Sequence, residues 1–411
     1  MGRKTVTAKR NGPRSQAFTA GAMRQPVGPD AWVLLPALLL LSFGIVMVGS
    51  ASIAVAEGQG ASAYHYLARH LVFIGLGVAM ALTLRVIPMA FLERISRPLL
   101  ALSILLLLLV LVPGVGHTVN GSTRWIRLGF VNFQAVEAVK LMVILYIAGY
   151  LARKAENVQT RFFDTLKPLG VAGLLSAILL LQPDMGSAAV ITAIVAGLVW
   201  LAGAAWRHIF ALGMLALPVF GWAAMEPYRL RRITGFLDPW ADPYGNGFQL
   251  VQALIAIGRG ELFGVGIGAS IQKLFYLPEA HTDFIFAVLA EELGLLGVIF
   301  VLGLFLLLVT RIMVIGMMAH RKGRIFQGFV AYGIGLWIGL QALVNIGVNL
   351  GVLPTKGLTL PLISSGGSSM LMVLVAIGVV LRIKYELDRD FGVYEKSRKP
   401  VRRGAHKEAA A

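Results

Sequence analysis

Cysteine is absent from the 411-residue chain, so there is no disulfide framework, no thiolate metal site and no cysteine nucleophile. Charge is scarce: Asp, Glu, Lys and Arg together make up 14 %. Acidic residues are the scarcest, 20 against 37 Lys and Arg, for a formal net charge of +17. Apolar residues fill the rest. With Gly counted in place of Tyr they reach about 66 %, where soluble domains run ~45–50 %. A soluble protein of this size could not cover that much apolar surface, and neither a disordered chain nor a coiled coil has this composition. The natural solvent is a bilayer, whose core takes ~20 apolar residues per helix.

The pattern predicts an all-α polytopic membrane protein with ten transmembrane helices, at roughly 31–53, 67–88, 97–114, 135–152, 167–183, 186–204, 208–226, 282–310, 325–350 and 367–384. Residues 1–30 read as a basic tail and not as a cleavable signal peptide, because the following apolar run is too long. Residues 31–384 read as one membrane domain and 385–411 as a second basic tail. With both termini cytoplasmic, the tails and inner loops, with their flanks, hold 27 of the 37 Lys and Arg. That asymmetry fixes the orientation. It also accounts for the basic charge without nucleic acid.

Three external segments are long or irregular: about 115–134, 227–281 and 351–366. The second, between helices 7 and 8, carries a Gly-rich stretch from Gly258 to Gly268 and an amphipathic segment, Phe248 to Ile257, expected to lie at the interface. The third has two prolines and three glycines, so it cannot be a regular helix. Such backbone survives at membrane depth only against protein or a wet cavity.

Intramembrane charge marks function more often than not. Glu137 and Lys140, spaced i, i+3, could pair on one helix face, as a purely structural ion pair or otherwise. Asp184 follows Pro183 and could simply cap the next helix. Asp283 stands at the external mouth of the eighth span, after Glu279 and His281, and Glu291 lies near the same helical stripe. From spacing alone Asp283 is equally a general base or a helix cap. A lone His281 is a weak metal signal. The external cations Arg124, Arg229, Arg231, Arg232, Arg259, Lys273 and Lys356 suit an anionic, lipid-linked substrate, or else snorkel at the interface.

The string Leu277-Pro278-Glu279-Ala280-His281-Thr282-Asp283-Phe284-Ile285-Phe286-Ala287 resembles the signature of the SEDS family (shape, elongation, division and sporulation). So do Pro354-Thr355-Lys356-Gly357-Leu358-Thr359-Leu360-Pro361-Leu362-Ile363-Ser364, Asn120-Gly121 through Arg124-Trp125-Ile126, Gln182-Pro183-Asp184 and Gly247-Phe248-Gln249. Thr355-Lys356-Gly357-Leu358-Thr359 is closer to the cell-division branch than to the rod-shape paralogue. Ala135-Val136 and Ser365 depart from the family pattern, which favours Pro-Ser and an aromatic there.

The resemblance implies a ten-span peptidoglycan glycosyltransferase that polymerises lipid II outside the inner (cytoplasmic) membrane, at the division septum. It assigns the essential carboxylate to Asp283. Arg124, Lys273 and Lys356 are the candidates for the pyrophosphate, with Glu279, His281 and Gln249 also near substrate. A divalent cation, Mg or Mn, could assist. A class B penicillin-binding transpeptidase is the implied partner, contacting helices 8 and 9, with other divisome proteins. The alternatives are a lipid II flippase with Glu137, Lys140 and Asp184 along its path, the elongation (rod-shape) paralogue, or a scaffold without chemistry.

Overall fold

The computed structural model describes residues 28–119, 122–129, 131–208, 210, 213–214, 221, 225, 234–355 and 357–398. Nine of the ten expected spans meet a helix there. They are α1 (Ala31–Gly58), α2 (His65–Leu84), α3 (Met89–Leu111), α4 (Ala135–Thr160), α5 (Phe162–Leu181) and α6 (Met185–Leu201). After the short α7 (Phe248–Arg259) come α8 (Ile285–Arg321), α9 (Ile325–Asn349) and α10 (Gly367–Arg398). Seven of these are long and apolar enough to cross a bilayer. The expected seventh span, 208–226, falls almost wholly outside the described residues, as do Arg229, Arg231, Arg232, Lys356, residues 1–27 and residues 399–411; the first half of the expected C-terminal tail, 385–398, continues α10.

α4 and α9 form the centre, and α2 and α3 present most of their surface outward. α8 packs on α1 and α9, α2 on α10, and α3 on α4. The tight turn between α5 and α6 is held at both ends. Asp184 accepts from the Ser187 N–H at 3.1 Å, and the Gln182 amide donates to the Leu107 carbonyl at 2.7 Å.

The all-α expectation needs one correction. The external segment 115–134 builds a three-stranded antiparallel sheet, β1 (Gly116–Val119), β2 (Ser122–Leu128) and β3 (Val131–Gln134), in that order. The pairing of β1 with β2 is irregular at Arg124: His117 pairs with Trp125 and Thr118 with Thr123, which leaves Arg124 without a partner position on β1. Ile126 packs with Val110 and Ala135, which anchors the sheet to the bundle.

α8 is broken near its start. Gly294 has φ 64° and ψ −168°. The Gly-rich segment that follows α7 lies against the break. Val265 and Gly266 donate their N–H to the carbonyls of Glu291 and Glu292, and Leu295 and Leu296 donate to Glu261 and Leu262. The backbone groups freed by the kink are thereby satisfied. A Cβ on Gly294 would lie 2.3 Å from the Gly264 nitrogen, so the approach requires glycine. The amphipathic segment is α7, whose Leu250, Val251, Ala253 and Ala256 are buried against the bundle.

The irregular segment 351–366 lies against protein throughout its second half. Asn345 donates to the carbonyls of Leu358 (2.6 Å) and Asp283 (2.9 Å), and Asn349 also donates to the Asp283 carbonyl (3.1 Å). The Ser364 hydroxyl donates to the Thr282 carbonyl at 2.7 Å and accepts the Leu360 N–H at 2.7 Å.

Candidate active site

Those same bonds position the mouth of α8. With its carbonyl held by two asparagines of α9, Asp283 cannot shift along the helix axis without breaking both. Its carboxylate enters a cavity of about 290 Å³ that is also lined by Arg124, Gln249, Glu279, Thr359 and Ser369. Gly357 forms part of the wall. A Cβ there would lie 3.1 Å from Asp283 Oδ2 and 3.9 Å from Arg124 Nη1, so these two charged atoms are within about 7 Å of each other.

Arg124 reaches the cavity from β2. Its Nη2 donates to the Pro183 carbonyl at 2.5 Å and its Nη1 lies 3.8 Å from Asp184. Asp184 is therefore both the cap of α6 and a support for this cation. The start of α10 closes another side, with Gly366, Ser368 and Ser369 in the wall. Helix N-termini and a guanidinium converge there, which favours an anion.

A second cavity, of about 570 Å³, shares Trp125, Glu279, Thr282, Ser365 and Gly366 with the first. It runs between α1, α2 and the segment before α8, past Val55, Phe73, Phe275 and Leu277. His281 lines this outer cavity and not the inner one. Its ring centre lies 4.8 Å from that of Tyr66, tilted by 50°, and burial pushes its pKa below the ordinary 6.5, partly opposed by Glu279.

The other candidates lie elsewhere. Lys273 lines neither cavity. Its ammonium is buried on Glu292 (2.7 Å), the Ser50 hydroxyl and the Gly268 carbonyl. Glu291 points away from Asp283, to Arg259 at 3.2 Å and Ser270 at 2.5 Å. These contacts fasten the Gly-rich segment to α8 and α1. Lys140 and Glu137 pair at 2.8 Å, fully buried, and Lys140 also donates to Gln341 at 2.7 Å under the Trp337 ring. Gln341 in turn donates to the Thr359 carbonyl (3.0 Å) and to Ser369 (3.3 Å), so the buried pair touches the cavity floor through one side chain.

Gln341, Asn345 and Asn349 carry much of this architecture and were not singled out in the sequence; polar residues inside an apolar run were their only signal, whereas Ser369 belongs to the Gly366-Gly367-Ser368-Ser369 string of the family motif. Among the described residues no three His, Asp or Glu converge on a metal site. Asp283 and Glu279 could still hold a divalent cation alongside substrate phosphates, since Mg²⁺ takes one or two carboxylates in such sites.

Residues 31–389 match the model of the cell cycle protein family FTSW_RODA_SPOVE. The chain belongs to that family. This agrees with the resemblance carried by its motifs. It is 51 % identical over 360 residues to a probable peptidoglycan glycosyltransferase FtsW of Coxiella burnetii, covering 87 % of this chain and 97 % of the relative. The corresponding protein of Nitrosococcus halophilus is 50 % identical over 372 residues, covering 88 % and 95 %. Among solved structures, a chain from a peptidoglycan synthase complex that coordinates polymerization and crosslinking aligns with a TM-score of 0.71 at 33 % identity, covering 88 % of this chain and 98 % of that one. The rod shape determining protein RodA of Thermus thermophilus aligns at 0.63 and 31 % identity, covering 88 % and 97 %. The family thus accounts for the helical membrane fold around the two cavities.

Proposed function

We propose that this chain is a peptidoglycan glycosyltransferase that polymerises lipid II at the outer face of the cytoplasmic membrane during septal wall synthesis. The observation that carries the chemistry is the Asp283 carboxylate and the Arg124 guanidinium facing one polar cavity, with Glu279 also in its wall. Asp283 takes the proton from the acceptor sugar's 4-hydroxyl. That oxygen attacks the anomeric carbon of the donor sugar as the bond to pyrophosphate breaks, inverting α to β. Undecaprenyl pyrophosphate carries the charge away, so cations and helix dipoles serve where a hydrolase needs a second carboxyl as acid. Arg124 and the N-terminus of α10 stabilise it, and Lys356 belongs to the same wall segment in sequence. A divalent cation held by Asp283 and Glu279 would add charge to the leaving group.

One lipid-linked sugar serves as donor and a second as acceptor. Two adjoining cavities suit two such sugars, the outer one with apolar walls on α1 and α2. A flippase reading would set Glu137 and Lys140 along an open path, but both are buried and bonded to one another. We further assign a class B transpeptidase as partner on α8 and α9, working with other divisome proteins. The likeness to a chain of a synthase complex supports this assignment.

The test is Asp283→Asn in purified protein given lipid II. Asparagine keeps the size, and the N-cap of α8 is Phe284 with no side-chain cap bond to lose, so the substitution removes the base, which costs ~10²–10⁴ in rate. We expect a folded protein that makes no detectable glycan. Near-normal polymerisation would discard Asp283 as the base.

A further inference from the structure

At the end of the bundle remote from the candidate site, α1, α2 and α10 do not close on one another. They leave a cleft of about 200 Å³. Leu38 and Leu41 of α1, Val78 of α2, and Leu374, Ile377 and Leu381 of α10 line it. Leu38 is 56 % exposed, so the cleft opens sideways toward the hydrocarbon region. It is too small to seat another helix, which is ~10 Å across. An alkyl chain is the element that fits.

The mouth of the cleft is cationic. Arg85, at the C-terminus of α2, lines it together with Tyr385. The Arg85 guanidinium carbon lies 5.8 Å from the centre of the Tyr385 ring, and that of Arg382 lies 5.4 Å from the same ring. Two like charges therefore converge on one aromatic. Arg382 is neutralised by Glu386 at 2.9 Å and also donates to the Arg85 carbonyl at 2.5 Å. Arg85 is not: among the described residues, no carboxylate lies within ion-pair distance of it. The neighbouring cations at this end, Arg311, Arg382 and Lys384, each hold an acidic partner. The mouth is left with one positive charge in excess, beside an apolar slot.

We propose that this cleft binds an anionic glycerophospholipid, its phosphate on Arg85 and one acyl chain between α1, α2 and α10. The bound lipid lies in the leaflet that faces the two basic tails. Basic pockets between transmembrane helices are where anionic headgroups settle; the acyl chain is as well buried in the bilayer as in the slot, so the slot fixes its place and the charge at the mouth sets the preference. A zwitterionic lipid carries its own ammonium beside the phosphate, so it gains less from Arg85. The site goes beyond glycan synthesis and does not depend on which substrate the other face takes.

The experiment uses the full chain in nanodiscs of phosphatidylcholine, doped with photoactivatable phosphatidylglycerol or phosphatidylethanolamine at equal mole fraction. We expect phosphatidylglycerol to label peptides of α1, α2 and α10 around the cleft at least fivefold more than phosphatidylethanolamine. Arg85→Gln should bring that ratio near one, and Arg85→Lys should keep most of it. Val78→Trp, a lipid-facing position that fills the slot, should lower labelling by both lipids there. Should Arg85→Gln fail to fold, Val78→Trp carries the decision alone. Equal labelling by the two lipids in the unaltered chain would overturn the proposal. So would a phosphatidylglycerol preference unmoved by Arg85→Gln, or cleft labelling unmoved by Val78→Trp.

Discussion

A buried charge is informative only once its partners are known. Lys140 is fully buried between Glu137, Gln341 and the Trp337 ring. Removing one member of such a pair leaves an uncompensated charge and costs ~3–5 kcal/mol. Glu137→Gln and Lys140→Met should each depress thermal stability strongly. The double variant should recover much of it, because neither charge remains. Yet Gln341 Oε1 then keeps only the Trp337 N–H (2.8 Å) of its two donors, which loosens its hold on Thr359 and Ser369, so the double variant should fold and polymerise more slowly than the parent. Full recovery of both stability and rate would show the pair to be structural only.

His281 responds to pH in a known direction. Burial holds its folded pKa below the unfolded 6.5. Above pH 6.5 the ring is neutral in both states. As pH falls below that value, the unfolded chain takes up a proton that the folded chain resists, so stability falls with pH. Melting curves from pH 7.5 to 5 should show a smaller decline in His281→Gln than in the parent. An equal decline would mean that His281 is not the group responsible.

At the scale of elements, most of the helices could be read from apolar runs, because a bilayer demands length and a helix satisfies its own backbone. The sheet at 115–134 could not. Its strands are four to seven residues long, and their short alternation is drowned by neighbouring turns. The break in α8 was hidden for a different reason. Gly294 sits in a continuous apolar run, and what breaks the helix is the remote backbone of Glu261 to Gly266. Lys273 looked like a free external cation because the sequence does not show that Glu292 turns to face it. Asp283 stood out by motif, but its meeting with Arg124 depends on the sheet.

The break supplies its own test. Alanine at Gly294 would clash with Gly264 and Leu262 backbone atoms and adopt a positive-φ, extended-ψ conformation that is essentially restricted to glycine and costs ~1–3 kcal/mol by itself. Backbone cannot rotate away as a side chain can. Gly294→Ala should lower the melting temperature and raise hydrogen exchange across 260–270. Gly303→Ala, further along α8 with open space around it, should be neutral or stabilising by ~0.5–1 kcal/mol. Matching effects at both positions would mean that the contact with the Gly-rich segment contributes nothing.

For the whole molecule, the sign of each loop is the available guide to orientation. The split of 27 Lys and Arg against 10 predicts that both tails are cytoplasmic and that a reporter after residue 240 reads outside. A reporter after residue 160 should be cytoplasmic. The opposite result at either would invert the arrangement and put Asp283 on the wrong side for an extracytoplasmic substrate. The same frame bears on the partner. Leu295, Ile299, Leu302 and Leu306 form one exposed stripe on α8, spaced four, three and four residues apart. Lipid is as apolar as leucine, so exposure alone drives no association, and small residues that let backbones approach decide where helices meet. Gly303 lies beside this stripe with nothing within 4 Å of a Cβ placed on it. Photocrosslinkers at Leu295, Ile299, Leu302 and Leu306 should therefore capture a class B transpeptidase in cells, while those at Leu105 and Leu108 on the outward side of α3 should not. Equal capture on both helices, or none along the stripe in an active protein, would remove α8 as the docking face.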